Sequence, residues 1–228
     1  MINNIPYQLR YSLRARHVRL KITPHIGLEI VVPKKFNIQE IPSILEKHQE
    51  WIKRTLSSLP PVEEKTLPSA LNLAAISQQW TIHYVERPIH SIKVLEKEEN
   101  QLVLQGNVHD KALVEKALKK WLCHHANQYF HVWLDEVSQR SNLPYKSLSI
   151  RYTRSRWGSC STKKTISLSA RLLFLKPELV EHIMIHELCH TVHFNHSRRF
   201  WDLFSSLQEN YKELKKEVHV LGKEVYFL

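Results

Sequence analysis

A chain of 228 residues, 43% of them hydrophobic, can bury one core, or one core with a smaller attached lobe, without covalent staples. Its formal net charge of +11 predicts attraction to polyanions such as nucleic acid, nucleotides or acidic surfaces, without selecting among them. Three cysteines, Cys123, Cys160 and Cys189, exclude a secreted disulfide framework, no apolar run approaches the roughly 18 residues of a membrane span, and the start lacks the apolar core of a secretory signal; the expectation is a cytoplasmic protein with no membrane partner.

Residues 1 to 60 carry ten Lys/Arg against four Glu, so the positive charge is concentrated at the front. There "RHVRLKITPHIGLEIVVP" alternates basic and apolar residues, which predicts a hairpin of two strands around a Pro-containing turn, with His17, Arg19 and Lys21 on its outer face. "NIQEIPSILEKHQEWIKRTLSSL" has the spacing of one amphipathic helix, with Asn37 as its cap and Pro42 early enough to be tolerated. Leu59 to Ala70, with three prolines and no period, is expected to be a loop or linker. Strand-like runs at Gln79–Val85, His90–Glu96 and Gln101–Gly106 suggest a meander.

From Asp110 the apolar residues take helical spacing for about eight turns. "KSLSIRYTRSRWGSCSTKKTISLSARLLF" then reads as strand, polar turn, strand, and "KPELVEHIMIHELCHTVHF" as a helix opened by Pro177. A last amphipathic helix starts near Ser197, with Phe200, Trp201 and Phe204 inward and Arg198 and Arg199 on the surface. The expected fold class is α+β: a mostly β N-terminal lobe with one helix over residues 1–108, then an α+β lobe with a histidine-bearing helix over 109–228.

That helix ends in "HELCHTVHFNH", His186 to His196. One turn apart, about 6 Å along the axis, His186 and His190 can both reach one ion. Glu187 points about 100° round the helix, where it meets water at a metal rather than the metal itself. With 15 histidines and 19 glutamates, a shuffled chain has roughly a one-in-ten chance of containing His-Glu-x-x-His, and a histidine six positions on multiplies that by roughly 0.07, so the extended pattern is the specific signal.

A straight helix would carry residue 196 about 9 Å past His190, so the chain has to turn back. Asn195, which tolerates the left-handed conformation, predicts a break near Phe194 and Asn195. His193 shares the stripe of His186 and His190 and is the main competitor for third ligand, but on an unbroken helix it is farther from His186 and poorly placed for a tetrahedral site. The expected ligands are therefore His186, His190 and His196, holding one Zn2+ per chain or another divalent metal. Three protein ligands leave a fourth position for water, as in catalytic sites, and Glu187 is the expected base, so the implied chemistry is hydrolysis. Cys189 and Cys160 are read as packed thiols and His182 as packed or solvated, rather than as ligands.

"RSRWGSCS", "ISLSARLLFLKPELVEHIMIHELCH" and "NHSRRFW", in that order, resemble the YgjP-like metallopeptidase family, metal-dependent hydrolases of zincin type. "RARHVRLKITPHIGLEIVVPKKF" and "WIKRTL" resemble the front lobe of that family, so the similarity covers nearly the whole chain. The resemblance implies a zincin-like α+β catalytic lobe, metal ligands at His186, His190 and His196, a base at Glu187, and kinship with SprT-like proteases. Two features depart from the pattern. His193 stands where metzincin-type sites place glycine between the second and third ligands, so the turn must be built differently. "LNLAAISQQWTIHYV" also lacks the glycine and aromatic pattern expected of the front lobe.

Within "RYTRSRWGSCS", Arg154 and Arg156 can neutralise an oxyanion or a phosphate, and a strand near the metal can pair with an extended peptide. The alternative is a hairpin in which Trp157 packs, Gly158 supplies a bend and the arginines are solvated. Tyr152, Arg156 and His193 are candidates for stabilising a tetrahedral intermediate. The leading function is a zinc metallopeptidase acting on peptide or protein. One alternative is hydrolysis of nucleoside triphosphates or other phosphoanhydrides, suggested by Arg154, Arg156, Lys163 and Lys164, although the chain has no Gly-rich phosphate loop. Another is a nucleic-acid-binding protein with a structural metal, in which Arg14, Arg16, Arg19 and Lys21 contact phosphates.

Overall fold

The computed structural model describes residues 6–23, 27–58 and 66–224, and the chain divides into two compact units, Met1–Thr66 and Leu67–Leu228. In the first unit, β1 (Tyr7–Ser12), β2 (Arg19–Thr23) and β3 (Gly27–Pro33) form a sheet of order β1-β3-β2. β2 runs antiparallel to β3 as the hairpin pattern predicts, while β1, which the sequence pattern did not single out, runs parallel to it. The alternation places Leu9, Ile30 and Leu20 in one row across the sheet. This apolar face packs with Ile41 and Leu45 of α1 (Ile41–Lys47) and Ile52 of α2 (Gln49–Ser57).

The single helix expected from residue 37 is instead a 3-10 turn over Ile38–Glu40, capped by the Asn37 side chain, followed by two helices that break at His48 (φ −108°, ψ 12°). The apolar spacing runs straight through that break, which is why periodicity alone does not reveal it. The Pro-containing turn of the hairpin and residues 59–65 of the expected linker lie outside the described residues.

The second unit opens with β4 (Ala70–Leu73), β5 (Gln78–Glu86), β6 (Ile92–Lys97) and β7 (Gln101–Gly106) in the order β4-β5-β7-β6. This is not the expected meander, because β5 pairs in parallel with β7 and β6 is displaced to the edge. The physical reason is burial: Leu102, Val103 and Leu104 of β7 are all buried, the mark of a strand covered on both faces, whereas β6 has no buried residue.

α3 (Lys111–Ser141) starts at Asp110, whose Oδ1 accepts from Ala112 N and Leu113 N, and stops at Asn142 in the left-handed region (φ 53°). β8 (Ser147–Arg151), β9 (Gly158–Cys160) and β10 (Thr165–Ser169) form a sheet of order β8-β10-β9. α4 (Pro177–Cys189), α5 (Arg198–Leu207) and α6 (Tyr211–Glu224) complete the unit. The single last helix expected from Ser197 is split in two, since Gln208 takes extended backbone (φ −149°, ψ 96°) and turns its side chain to His182.

The architecture is α+β, but its division falls at Thr66/Leu67 and not at residue 108. Leu71, Trp80 and Leu102 of the four-stranded sheet share one core with Leu118 and Phe130 of α3 and with Leu188 of α4, so that sheet belongs with the helices. No helix among the described residues is long and apolar enough to cross a membrane.

Candidate functional site

Apolar round most of its circumference, α4 buries Leu179, Val180, Ile183, Met184, Ile185 and Leu188, so it runs through the core instead of along the surface. Polar groups gather at its C-terminal end. His186 and His190 are half-buried, and Glu187, at 6% exposure, is buried.

The helix ends at Cys189–His190, earlier than expected, where Thr191 N–H bonds to the Leu188 carbonyl at 2.9 Å. Asn195 does not adopt the left-handed conformation; its Oδ1 accepts from Ser197 N–H at 3.3 Å, so its side chain rather than its backbone shapes the return. Two further bonds pin the loop. His190 Nδ1 donates to the His193 carbonyl at 2.9 Å, and Trp201 Nε1 donates to the His196 carbonyl at 3.1 Å. A carbonyl can only accept, so the proton of neutral His190 sits on Nδ1 and its Nε2 is left with a lone pair.

This return brings one ring nitrogen from each of His186, His190 and His196 within 4.8 Å of the others, with Nε2 of His186 and Nε2 of His196 at 3.0 Å. Tetrahedral zinc at roughly 2.0–2.1 Å from each nitrogen sets ligand nitrogens about 3.3 Å apart, so the cluster has the size and donor set for such an ion. Phe200 forms an apolar floor, its ring centroid 5.0, 4.6 and 4.7 Å from those of His186, His190 and His196. Burial, then the neighbouring His190 and His196, push the His186 pKa down to about 3. The pKa of His196 is also lowered, by burial and then by His190 and Lys215. Both imidazoles are thereby held in the neutral form that binds a metal.

Burial pushes the Glu187 carboxyl up to about 8, while the nearby Arg156 guanidinium acts the other way. Such a group can take up and release a proton near neutral pH. Gly158 of β9 was expected only to supply a bend, but it makes room for this carboxyl: a Cβ at Gly158 would lie 2.7 Å from Glu187 Cγ and 2.7 Å from its Oε1.

The 153–157 loop is organised by a residue that the sequence patterns do not single out. Arg171 is buried, donates from Nη1 to the Arg154 carbonyl at 3.1 Å, and lays its guanidinium 4.6 Å over the Trp157 ring. Its one signal in the sequence is a lone charge inside the apolar run "SARLLFL". Arg154 and Arg156 are exposed on that loop. Tyr152 is half-buried on the α3 side, where Lys119 Nζ lies 5.6 Å from its ring centroid. His193 contributes its carbonyl to His190, and its ring is not part of the three-histidine cluster.

The residues read as packed do pack. His182 is buried beside Phe204, with Nδ1 2.6 Å from Gln208 Oε1. Burial pushes the Cys189 thiol up to about 12, and burial with Glu187 pushes Cys160 up to about 11, so both are poor thiolates.

A model of the YgjP-like metallopeptidase domain matches residues 16–220. Among solved structures, the metallopeptidase zymogen abylysin of Pyrococcus abyssi is 26% identical over 38% of this chain and 89% of its own, with a TM-score of 0.35. The metallopeptidase zymogen jannalysin of Methanocaldococcus jannaschii is 22% identical over 40% of this chain and 93% of its own, with a TM-score of 0.35. No curated protein matches the chain. With the family's domain spanning residues 16–220, the chain belongs to the YgjP-like metallopeptidase family and is a metal-dependent hydrolase.

Proposed function

We propose that this protein is a zinc-dependent peptidase in which His186, His190 and His196 hold the ion and Glu187 moves the proton. The observation that carries this reading is the convergence of three histidine nitrogens within 4.8 Å beside a buried carboxyl. Zinc bound there would supply Lewis acidity, polarising a carbonyl and making water nucleophilic near neutral pH.

The chain's own groups do the rest. The His190 Nδ1 bond to the His193 carbonyl fixes that ring's orientation and tautomer. Glu187, adjacent to His186 on α4, accepts a proton from the attacking water and delivers it to the departing amine. Arg156, exposed on the 153–157 loop and acting electrostatically on Glu187, counters negative charge that develops on the substrate carbonyl oxygen. β9 is one of the two edge strands of its sheet and abuts Glu187 through Gly158, so its main chain can pair with an extended peptide. The unpaired Cys123, Cys160 and Cys189 agree with a reducing, cytoplasmic setting.

The test joins metal content to turnover. Protein purified without chelator or affinity metal should carry about one zinc per chain, sharply reduced in His196→Ala. Wild type should cleave members of a peptide library that Glu187→Gln, still metal-loaded, does not. A folded wild type that takes up no zinc when it is offered overturns the ligand assignment.

A further inference from the structure

The second unit carries a cavity of about 1200 Å³ that includes neither the three histidines nor Glu187. One wall is the 154–157 loop, and the other is formed by Trp201 of α5 and by residues of α6 between Tyr211 and Val220. Both walls lead to the candidate catalytic centre. Trp201 stacks on His196, ring centroids 5.5 Å apart at 29°. Arg156 acts electrostatically on Glu187, and two residues further on Gly158 abuts that same side chain.

The lining has a consistent chemistry. Trp157, Trp201 and Tyr211 give it aromatic surface. Arg156, Lys212, Lys215 and Lys216 give it positive charge, and Glu213 is the one carboxylate among the described lining residues. The three lysines stand at i, i+3 and i+4 on α6, so they share one face of that helix. Lys215 Nζ is held 4.3 Å from the Trp201 ring centroid, and Lys212 Nζ 5.9 Å from that of Tyr211. Among the described residues, the salt bridges of the second unit made by Lys or Arg involve Lys119, Arg140, Lys176 and Arg198. Among the described residues, the three lysine ammonium groups form no ion pair.

We infer that this cavity is the recognition cleft for an acidic segment of the peptide substrate, with Asp and Glu carboxylates meeting Arg156, Lys212, Lys215 and Lys216. The inference rests on the peptidase reading and extends it to a substrate class. Pockets for single small molecules span about 300–1,000 Å³, so a chain segment suits this volume better than one small anion. The aromatic walls accept the apolar stems of that segment, and the cations set its sign. An amide-cleaving centre next to the cavity selects a peptide over other polyanions.

Two measurements on the full-length metal-loaded protein test this. The first compares kcat/KM for peptides of equal length that share one scissile sequence and carry acidic, neutral or basic flanks, with the acidic peptide also made C-terminally amidated. The acidic peptide should be preferred over the neutral one by about tenfold at low salt, and amidation should leave the preference in place. The preference should shrink as salt is raised, and Lys212→Glu combined with Lys216→Glu should abolish or invert it. Equal turnover of the three peptides, or preference for the basic one, overturns the inference, and a preference lost on amidation assigns the cleft to a terminal carboxylate instead.

The second measurement is anisotropy of the same labelled peptides on Glu187→Gln, with a single-stranded oligonucleotide as competitor. Lysine-dependent binding of the acidic peptide together with no cleavage by wild type would sink the peptidase reading and leave the cleft assignment standing. An oligonucleotide that displaces the peptide at far lower concentration would reassign the cleft to nucleic acid.

Discussion

Two clusters in the second unit are built from the same materials and arrive at different chemistry. In the first, His125 of α3 is buried, stacked on Trp121 at 4.7 Å and edge-on to Trp80 at 5.3 Å. In the second, His186, His190 and His196 surround Phe200, with Trp201 and Phe204 beyond. Burial lowers the pKa of His125 as it lowers that of His186, so both clusters hold neutral imidazoles among aromatic rings. The difference lies in where the nitrogens point. Gln78 Oε1 accepts from Trp80 Nε1 at 2.9 Å and from His125 Nε2 at 3.0 Å, so that imidazole is tied into a local network and, among the described residues, joins no group of convergent metal-binding donors. At the end of α4 three nitrogens meet one another beside a buried carboxyl. A buried neutral histidine is thus not a site in itself; convergence of donors and an adjacent base make one.

The largest effect expected from this comparison is on turnover. Glu187→Gln keeps the shape of the buried side chain and removes its ability to take a proton, so peptide hydrolysis should fall by about 10³-fold with metal content unchanged. His190→Ala should lose metal and activity together, because the cluster then offers two nitrogens. Metal analysis beside a peptidase assay separates the two cases. Gly158→Ala tests the cavity wall around the base: its Cβ would fall 2.7 Å from Glu187 Oε1, so the carboxyl must move. Activity should drop by about 10- to 100-fold through kcat, with metal retained, since small displacements of a reacting group have that consequence.

Much of this centre is legible in the sequence because its information is local. His186, Glu187 and His190 lie within one turn of a helix, and the spacing to His196 requires a return of the chain. What the sequence does not reveal depends on contacts between distant segments. Asn195 invites a left-handed turn, yet the helix closes earlier and Asn195 caps Ser197 with its side chain. Gly158 reads as a bend because nothing near it in the chain announces Glu187. Arg171 looks misplaced in an apolar run until its hydrogen bond to the Arg154 carbonyl is seen. The fold follows the same rule. Strands β5, β6 and β7 are found where alternation places them, but the parallel pairing of β5 with β7 is set by which strand is covered on both faces, and sequence adjacency favours the meander instead.

The aromatic histidine should affect stability and nothing else. His125→Ala removes a ring packed against two indoles and leaves Trp80 and Gln78 to rearrange, so thermal or urea unfolding should show a loss of about 2–4 kcal/mol. Metal content and turnover per folded molecule should match wild type. A His125→Ala protein that folds but has lost its metal would break the distinction between the two clusters.

His182 gives the finest test, because it sits on α4 one turn before His186 and yet resembles His125. It is buried against Phe204, and its Nδ1 meets Gln208 Oε1 at 2.6 Å. That bond also anchors the extended residue that separates α5 from α6. Gln208→Ala removes the acceptor and frees the imidazole without touching any of the three convergent nitrogens. The expected cost is about 1 kcal/mol in unfolding free energy, the value of one partly buried hydrogen bond, with zinc content and kcat unchanged. If zinc is lost instead, His182 and Gln208 hold the orientation of His186 through the helix, and position along α4 would matter as much as convergence in making a histidine functional.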